Sequence, residues 1–182
     1  MLYTGKGDNG KTTTFGCNQK ISKSSAITEA LGSLDEINSL LGILKVKAFN
    51  CGFKMNNLEV GQIIENVQQN LFIIQAELAG SDMKISEAKL RECEKMVSDI
   101  ETELPPIKTF FVSGGTELAS HFDFARTVAR RAERRVVAVV DEGQILGEFT
   151  VSYLNRLSSL LYAFARFSNH FAKIEEIKPN YS

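Results

Sequence analysis

SAITEALGSLDEINSLLGILKVK, residues Ser25 to Lys47, decides the fold class. Ile27, Ala30, Leu31, Leu34, Ile37, Leu41 and Leu44 recur at three- and four-residue spacing, which places them on one stripe of an α-helix. The same pattern returns after the Asn50 to Asn57 turn. Val60, Ile63, Ile64, Val67, Leu71, Ile74 and Leu78 predict a second helix, stopped near Gly80 and antiparallel to the first. Ser86 can cap a shorter third helix carrying Leu90, Cys93, Val97 and Ile100, which Pro105-Pro106 must end because proline lacks the helical donor. A linker through Phe110 and Phe111 leads to Gly114-Gly115, where Thr116 is a plausible N-cap for a long helix to about Val140. The DEG turn reverses the chain into a fifth helix, Glu148 to Phe171, with Val151, Leu154, Leu157, Leu161, Phe164 and Ala165 on one side. Strand signals are nearly absent. The expected architecture is therefore an all-α bundle of about five helices, preceded by a loop and followed by a loose KPNYS tail.

Composition narrows the class without naming a function. A chain of 182 residues, 43% hydrophobic and 24% charged, is an ordinary globular sequence and excludes wholesale disorder or a disulfide scaffold. One domain is expected, with a nucleotide-binding loop over 1–23, the bundle over 24–172 and a tail over 173–182. A net charge of −1 gives no general attraction to nucleic acid or anionic membrane, so anion chemistry must come from local clusters. No apolar run is long enough to span a bilayer, and the first residues lack the core of a secretory signal, so a cytoplasmic location is expected. Cys17, Cys51 and Cys93 are widely spaced, with no CxxC pair, and read as reduced thiols rather than a disulfide framework or a zinc site; no metal-ligand set is expected.

Two clusters carry chemistry. GKGDNGKT, Gly5 to Thr12, satisfies the phosphate-loop pattern GxxxxGK[ST]. A true phosphate loop follows a buried strand and opens a helix in a parallel sheet, and neither flank fits, so a phosphate-loop ATPase or kinase is set aside. The chemical content survives: glycines allow close backbone approach, and Lys6, Lys11 and Lys20 with three threonines suit a polyphosphate. A disordered basic tail is the competing reading. The second cluster is ARTVARRAERR on the fourth helix. Arg126, Arg130 and Glu133 share a narrow arc beside the apolar stripe of Ala125, Val128, Ala132, Val136 and Val139. A solvated basic face explains such a helix alone; a phosphate-suited loop elsewhere in the chain makes a ligand site the better reading. Asp35, between Leu34 and Ile37, calls for a cationic partner if it lies near the apolar edge. Asn155 and Arg156 border the core stripe of the fifth helix.

YTGKGDNGKTTTFG, EALGSLDEINSLLG, FFVSGG, ARTVARRAERR and YLNRLSSLLYAFAR, in this order, resemble the PduO-type ATP:cob(I)alamin adenosyltransferases over nearly the whole chain. The resemblance implies a homotrimer of five-helix subunits with active sites between neighbours. By motif, Thr4, Gly5, Lys6, Gly7, Thr12, Thr13 and Lys23 would bind ATP from the leader of one chain. Arg130, Arg131, Glu133 and Arg134 would complete that site from the fourth helix, with Asn155 from the fifth. Asp35, Arg126 and Arg130 would form the catalytic set, Asp35 meeting Arg126 across the subunit boundary. Phe110, ahead of Phe111, corresponds to the aromatic beneath the corrin ring. The implied reaction is attack of cob(I)alamin on the 5′ carbon of ATP, with release of triphosphate and magnesium as companion ion. An electron-donating reductase and an adenosylcobalamin-dependent enzyme are the implied partners. A non-catalytic helical module binding ATP or corrinoid is the alternative. The chain departs from the family pattern in the placement of Lys6, in Ser113 before the Gly-Gly pair, in Asp123 ahead of ART, and in Ser159 after NRLS.

Overall fold

The computed structural model describes residues 2–14 and 20–181. Its helices are α1 (Ala26–Asn50), α2 (Val60–Leu78), α3 (Glu87–Glu103), α4 (Glu117–Asp141) and α5 (Thr150–Phe171). Helix α1 packs between α2 and α4, and α5 packs between α4 and α3. Ala30, Leu34, Ile37, Leu41 and Leu44 of α1 are fully buried in the shared core, as are Leu71 and Ile74 of α2 and Leu157 of α5.

The expected stops are local chemistry. In α2 and α4 the glycines Gly80 (φ 101°) and Gly143 (φ 98°) take the left-handed position past the cap, and the backbone closes back on the last turn. Thr116 caps α4 as expected, its hydroxyl accepting from the Ala119 amide at 3.0 Å. Ser25 and Ser86 occupy the N-cap positions of α1 and α3, but neither side chain makes a capping hydrogen bond.

Two short antiparallel pairs lie outside the sequence expectation: β1 (Lys11–Thr12) with β2 (Ile21–Ser22), and β3 (Lys54–Met55) with β4 (Leu58–Glu59). The second is a tight hairpin whose corner, Asn56-Asn57, has φ of 49° and 64°, a conformation asparagine tolerates better than most residues. Two-residue strands carry no alternation that a sequence could show.

Between helices, buried polar groups are matched. Glu77, 5% exposed on α2, accepts from the Gly147 amide and, at 2.6 Å, from the Thr150 hydroxyl, fastening the α4–α5 turn to α2. Burial pushes the Cys93 thiol up to about 12, so it packs as an inert apolar group; Cys17 lies outside the described residues. The segment just before the KPNYS tail is tied down: Glu176 pairs with Arg166 of α5, and the Ile177 carbonyl accepts from Val112 N at 2.8 Å.

Gly61 marks the tightest approach between the α1 end and α2, since a Cβ there would lie 2.6 Å from the Phe49 ring. Gly61→Ala should therefore cost about 1–3 kcal/mol through overpacking, despite alanine's better helix propensity. Urea unfolding followed by circular dichroism measures this, and a stabilised variant would contradict the packing described.

Candidate functional site

Helix α4 lies against both α1 and α5, so its arginines can emerge only along its edges. Carboxylates answer three of them. Arg131 pairs with Glu36 of α1, Arg135 lies 3.9 Å from Glu29 of α1, and Arg126 Nε lies 4.0 Å from Asp123, one turn earlier. Arg130 and Arg134 have no carboxylate partner among the described residues; the Arg134 guanidinium donates instead to the Arg130 carbonyl at 3.1 Å. Both unanswered arginines line one cleft of about 360 Å³, with Glu133, Asp141 and Asn155. Asn155 Nδ2 donates to Glu133 at 2.9 Å, while its oxygen accepts from Arg156 at 2.7 Å, and Arg156 is held by Glu94 of α3 at 3.1 Å. The cleft thus gathers an amide, two carboxylates and two exposed guanidinium groups that have no carboxylate partner among the described residues. Guanidinium groups free of carboxylates are suited to phosphate oxygens.

Arg130 also borders a larger cavity of about 500 Å³ between α4, α5 and the linker that precedes α4. Phe110, 78% exposed, stands at this cavity with Phe111, Val112 and Tyr162. Its charged groups besides Arg130 are Arg126, Asp123, Arg166 and Glu176. The Arg126 guanidinium lies 5.8 Å from the Tyr162 ring centre, and its Nε is buried without a hydrogen-bond partner among the described residues. The Gly114-Gly115 turn is pinned beside it. Asn169, 6% exposed, donates to the Gly114 carbonyl at 2.8 Å and accepts from Thr116 N at 2.9 Å, and a side chain at Gly115 would collide with this amide.

The chain brings Arg130, Glu133, Arg134 and Asn155 together, and separately gathers Arg126, Arg130, Phe110 and Phe111. It turns Arg131 toward α1, outside the small cleft. Thr4, Gly5, Lys6, Gly7, Thr12, Thr13 and Lys23 share the leader, which folds on itself: Gly10 N donates to the Gly7 carbonyl at 3.1 Å and Lys23 N to the Gly10 carbonyl at 3.0 Å. No hydrogen bond or ion pair among the described residues links the leader to the α4 cleft. Among the described residues the next element after Thr12 is β2, not the helix that a phosphate loop would require. Asp35 is exposed on α1 and makes no ion pair within the described chain, so Asp35 and Arg126 are not joined inside one subunit. Sequence reasoning missed Arg166, Asn169 and Glu176 as site residues. An arginine and an asparagine inside an apolar helical stripe were the available signal.

A family profile described as cobalamin adenosyltransferase matches residues 2–168. The chain belongs to this family. Among curated relatives, the corrinoid adenosyltransferase PduO of Citrobacter freundii is 36% identical over 94% of this chain and 50% of its own length, and that of Salmonella typhimurium 35% identical over 91% and 48%. The chain therefore spans about half the length of these two relatives. The corrinoid adenosyltransferase of Bacillus subtilis is 35% identical over 97% of this chain and 91% of its own. Among solved structures, a variant PduO-type ATP:corrinoid adenosyltransferase from Lactobacillus reuteri complexed with cobalamin and ATP superposes with a TM-score of 0.87, at 28% identity, covering 100% of this chain and 98% of that one. Another variant complexed with ATP gives 0.84, at 28% identity, covering 98% and 100%. The adenosyltransferase fold is thus continuous from leader to tail.

One position where the chain departs from the family pattern has a pH consequence. Burial raises the Asp123 carboxyl above its ordinary 3.8, against the lowering effects of the Gly114 amide, which donates to it at 3.1 Å, and of Arg126. A carboxyl that holds its proton more tightly folded than unfolded loses stability as pH rises from the unfolded value through the folded one. Asp123→Asn lacks this titration and keeps an acceptor for Gly114. Its melting temperature minus that of wild type should become more positive as pH rises through the carboxylate range, as thermal denaturation at stepped pH would show; a flat or falling difference contradicts it.

Proposed function

We propose that this chain transfers the 5′-deoxyadenosyl group of ATP to the cobalt of cob(I)alamin or a related corrinoid, releasing triphosphate and forming adenosylcobalamin. The observation that carries the reading is Arg130, which borders both the small polar cleft and the larger, mostly apolar cavity. A two-substrate transfer needs its ligands to meet, and Arg130 is where the two spaces adjoin. The family membership and the relatives named above support the same substrates.

In this reading the triphosphate lies against Arg130 and Arg134, with the Glu133–Asn155 wall orienting the nucleoside. Cobalt is the nucleophile: its electron pair forms the bond to the 5′ carbon as the carbon–oxygen bond to triphosphate breaks, and the electrons of that bond leave on the triphosphate. No side chain has to remove a proton. The protein's contribution is alignment and stabilisation of the charge gathering on the leaving group. No group of three or more His, Cys, Asp or Glu that could hold a metal occurs among the described residues. Magnesium typically sits on phosphates with one or two carboxylates, and Glu133 and Asp141 of the small cleft fit that role. When bound it would neutralise part of the phosphate charge.

The leader's Thr4 to Gly7, Thr12, Thr13 and Lys23 belong to the nucleotide site of a neighbouring subunit in this proposal, with the whole chain serving as one adenosyltransferase domain of a homotrimer. The support is that the leader makes no hydrogen bond or ion pair to its own α4 cleft among the described residues, while Asp35, exposed and without an ion pair among them, is open to a neighbour's Arg126. Arg131 keeps 44% of its side-chain surface open despite its ion pair, so a nucleotide crossing the α4 ridge can still reach it. Phe110 occupies the place of a lower axial ligand, favouring a cobalt without that donor and hence easier reduction to cob(I). The described helices include none long and apolar enough to cross a membrane, and the reaction needs none. An electron-donating reductase and an adenosylcobalamin-dependent enzyme are the corresponding partners.

Incubation with MgATP and chemically reduced cobalamin tests the reading. Adenosylcobalamin and triphosphate should form in equal amounts, whereas a binding module would retain both ligands and yield neither product. Arg130→Ala should weaken transition-state stabilisation by about 2–4 kcal/mol, the scale of losing one oriented donor, while Arg135→Ala, facing Glu29, should stay near wild type in kcat/KM. Equal effects at the two positions would remove the distinction between answered and unanswered arginines. Phe110→Ala should leave the KM for ATP unchanged and slow turnover more when cobalt starts as cob(II) than as cob(I). Identical defects with both would argue against the ligation role.

A further inference from the structure

The linker that presents Phe110 has neither helix nor strand between Pro105 and Gly114, yet it forms a wall of the large cavity. The Phe110 ring is 78% exposed and has little packing of its own to fix it. Its orientation therefore depends on how the residues around it are held.

Those residues are held by Arg166 and the C-terminal segment. Arg166 is 6% exposed, although it is an arginine inside the apolar side of α5. Its Nε donates to both carboxylate oxygens of Glu176, at 3.1 and 3.0 Å, and its terminal nitrogen donates to Glu176 at 2.9 Å and to the Pro105 carbonyl at 3.1 Å. The central carbon of the same guanidinium lies over the Phe111 ring, 5.2 Å from its centre. One residue later, Val112 N donates to the Ile177 carbonyl at 2.8 Å. The tail reaches this position because α5 ends in a reversal: Lys173 takes φ 57°, and the amides of Lys173 and Ile174 bond back to the carbonyls of His170 and Asn169. A lysine in a left-handed conformation is unfavourable by itself, so contacts beyond it must hold the turn.

We infer that residues Ile174–Ile177 are a strap that positions Phe110 at the corrinoid cavity, with Glu176 as its positioning residue. The inference rests on the corrinoid reading of that cavity given above. Glu176 acts through Arg166. Its carboxylate fixes the guanidinium in the one plane that both meets the Pro105 carbonyl and stacks on Phe111. With Pro105 and Phe111 held by Arg166 and Val112 held by Ile177, the backbone at Phe110 is fixed from both sides. Without the carboxylate the guanidinium keeps its burial but loses its orientation, and the linker loses the tether on its Pro105 side. The strap is thus part of the machinery that sets which face of the cobalt stays open.

The test compares the full-length wild type with Glu176→Gln, Glu176→Asp, Phe110→Ala and the Glu176→Gln/Phe110→Ala double variant, after circular dichroism and melting temperature show that each is folded. Each is assayed with MgATP and with cobalamin started as cob(I) or as cob(II). Glu176→Gln should leave the KM for ATP within about twofold while lowering kcat from cob(II), by up to about a hundredfold for a displacement on the ångström scale, with a smaller loss from cob(I). Glu176→Asp, which keeps the charge at shorter reach, should fall between Glu176→Gln and wild type. The decisive comparison is the double variant: if the strap works through Phe110, adding Glu176→Gln to Phe110→Ala costs nothing more. Defects that multiply would show an ordinary structural role and overturn the inference, as would wild-type kinetics in Glu176→Gln. An inactive wild type would instead end the functional reading itself, and the strap's role with it.

Discussion

The position of α4 between α1 and α5 is the constraint on which the rest depends. Ala119, Ala125, Ala129 and Ala132 are buried along it, and small side chains at those points allow two helices to lie close on either side. A helix packed in this way keeps one side open to solvent, where Arg130, Arg131, Arg134 and Arg135 are all exposed. Its arginines are sorted onto edges, and what each edge meets is decided by the neighbouring helix. The α1 edge supplies Glu29 and Glu36, so Arg135 and Arg131 are spent on the seam. The α5 edge supplies Glu133's partner Asn155 and no acid paired with Arg130 or Arg134, and both line the small cleft there.

The same packing explains why most of the fold could be read in advance. Apolar spacing identified each helix, Thr116 marked the start of α4, and Gly80 and the DEG turn marked ends, because these depend on residues close together in sequence. The two short strand pairs were missed because two residues carry no periodicity. Ser25 and Ser86 were correctly placed at helix starts, but whether a hydroxyl actually bonds its helix depends on competition: Ser25 donates instead to the Ser22 carbonyl at 2.9 Å.

The candidate residues were legible in type and less so in arrangement. Five arginines in ten residues suggested an anion ligand, and the phosphate-loop string was properly stripped of its usual fold. Which arginines stay free could not be read, since the answer lies in acids about a hundred positions earlier. The Arg166–Glu176 pair was equally hidden, as it needs a reversal at Lys173 and a linker some sixty residues upstream to acquire its meaning. Asn169 shows the same limit: an amide inside an apolar stripe is visible, but its grip on the Gly114-Gly115 turn is not.

Arg130 lines both compartments. Occupants that both lean on one guanidinium cannot bind independently, since whatever places it for the first also sets the affinity of the second, by an equal factor in either direction. Altering that position to retune nucleotide preference would therefore disturb the other compartment as well. In the proposed reaction, selectivity for the base or sugar is better sought at Asn155, which borders the smaller space and not the larger.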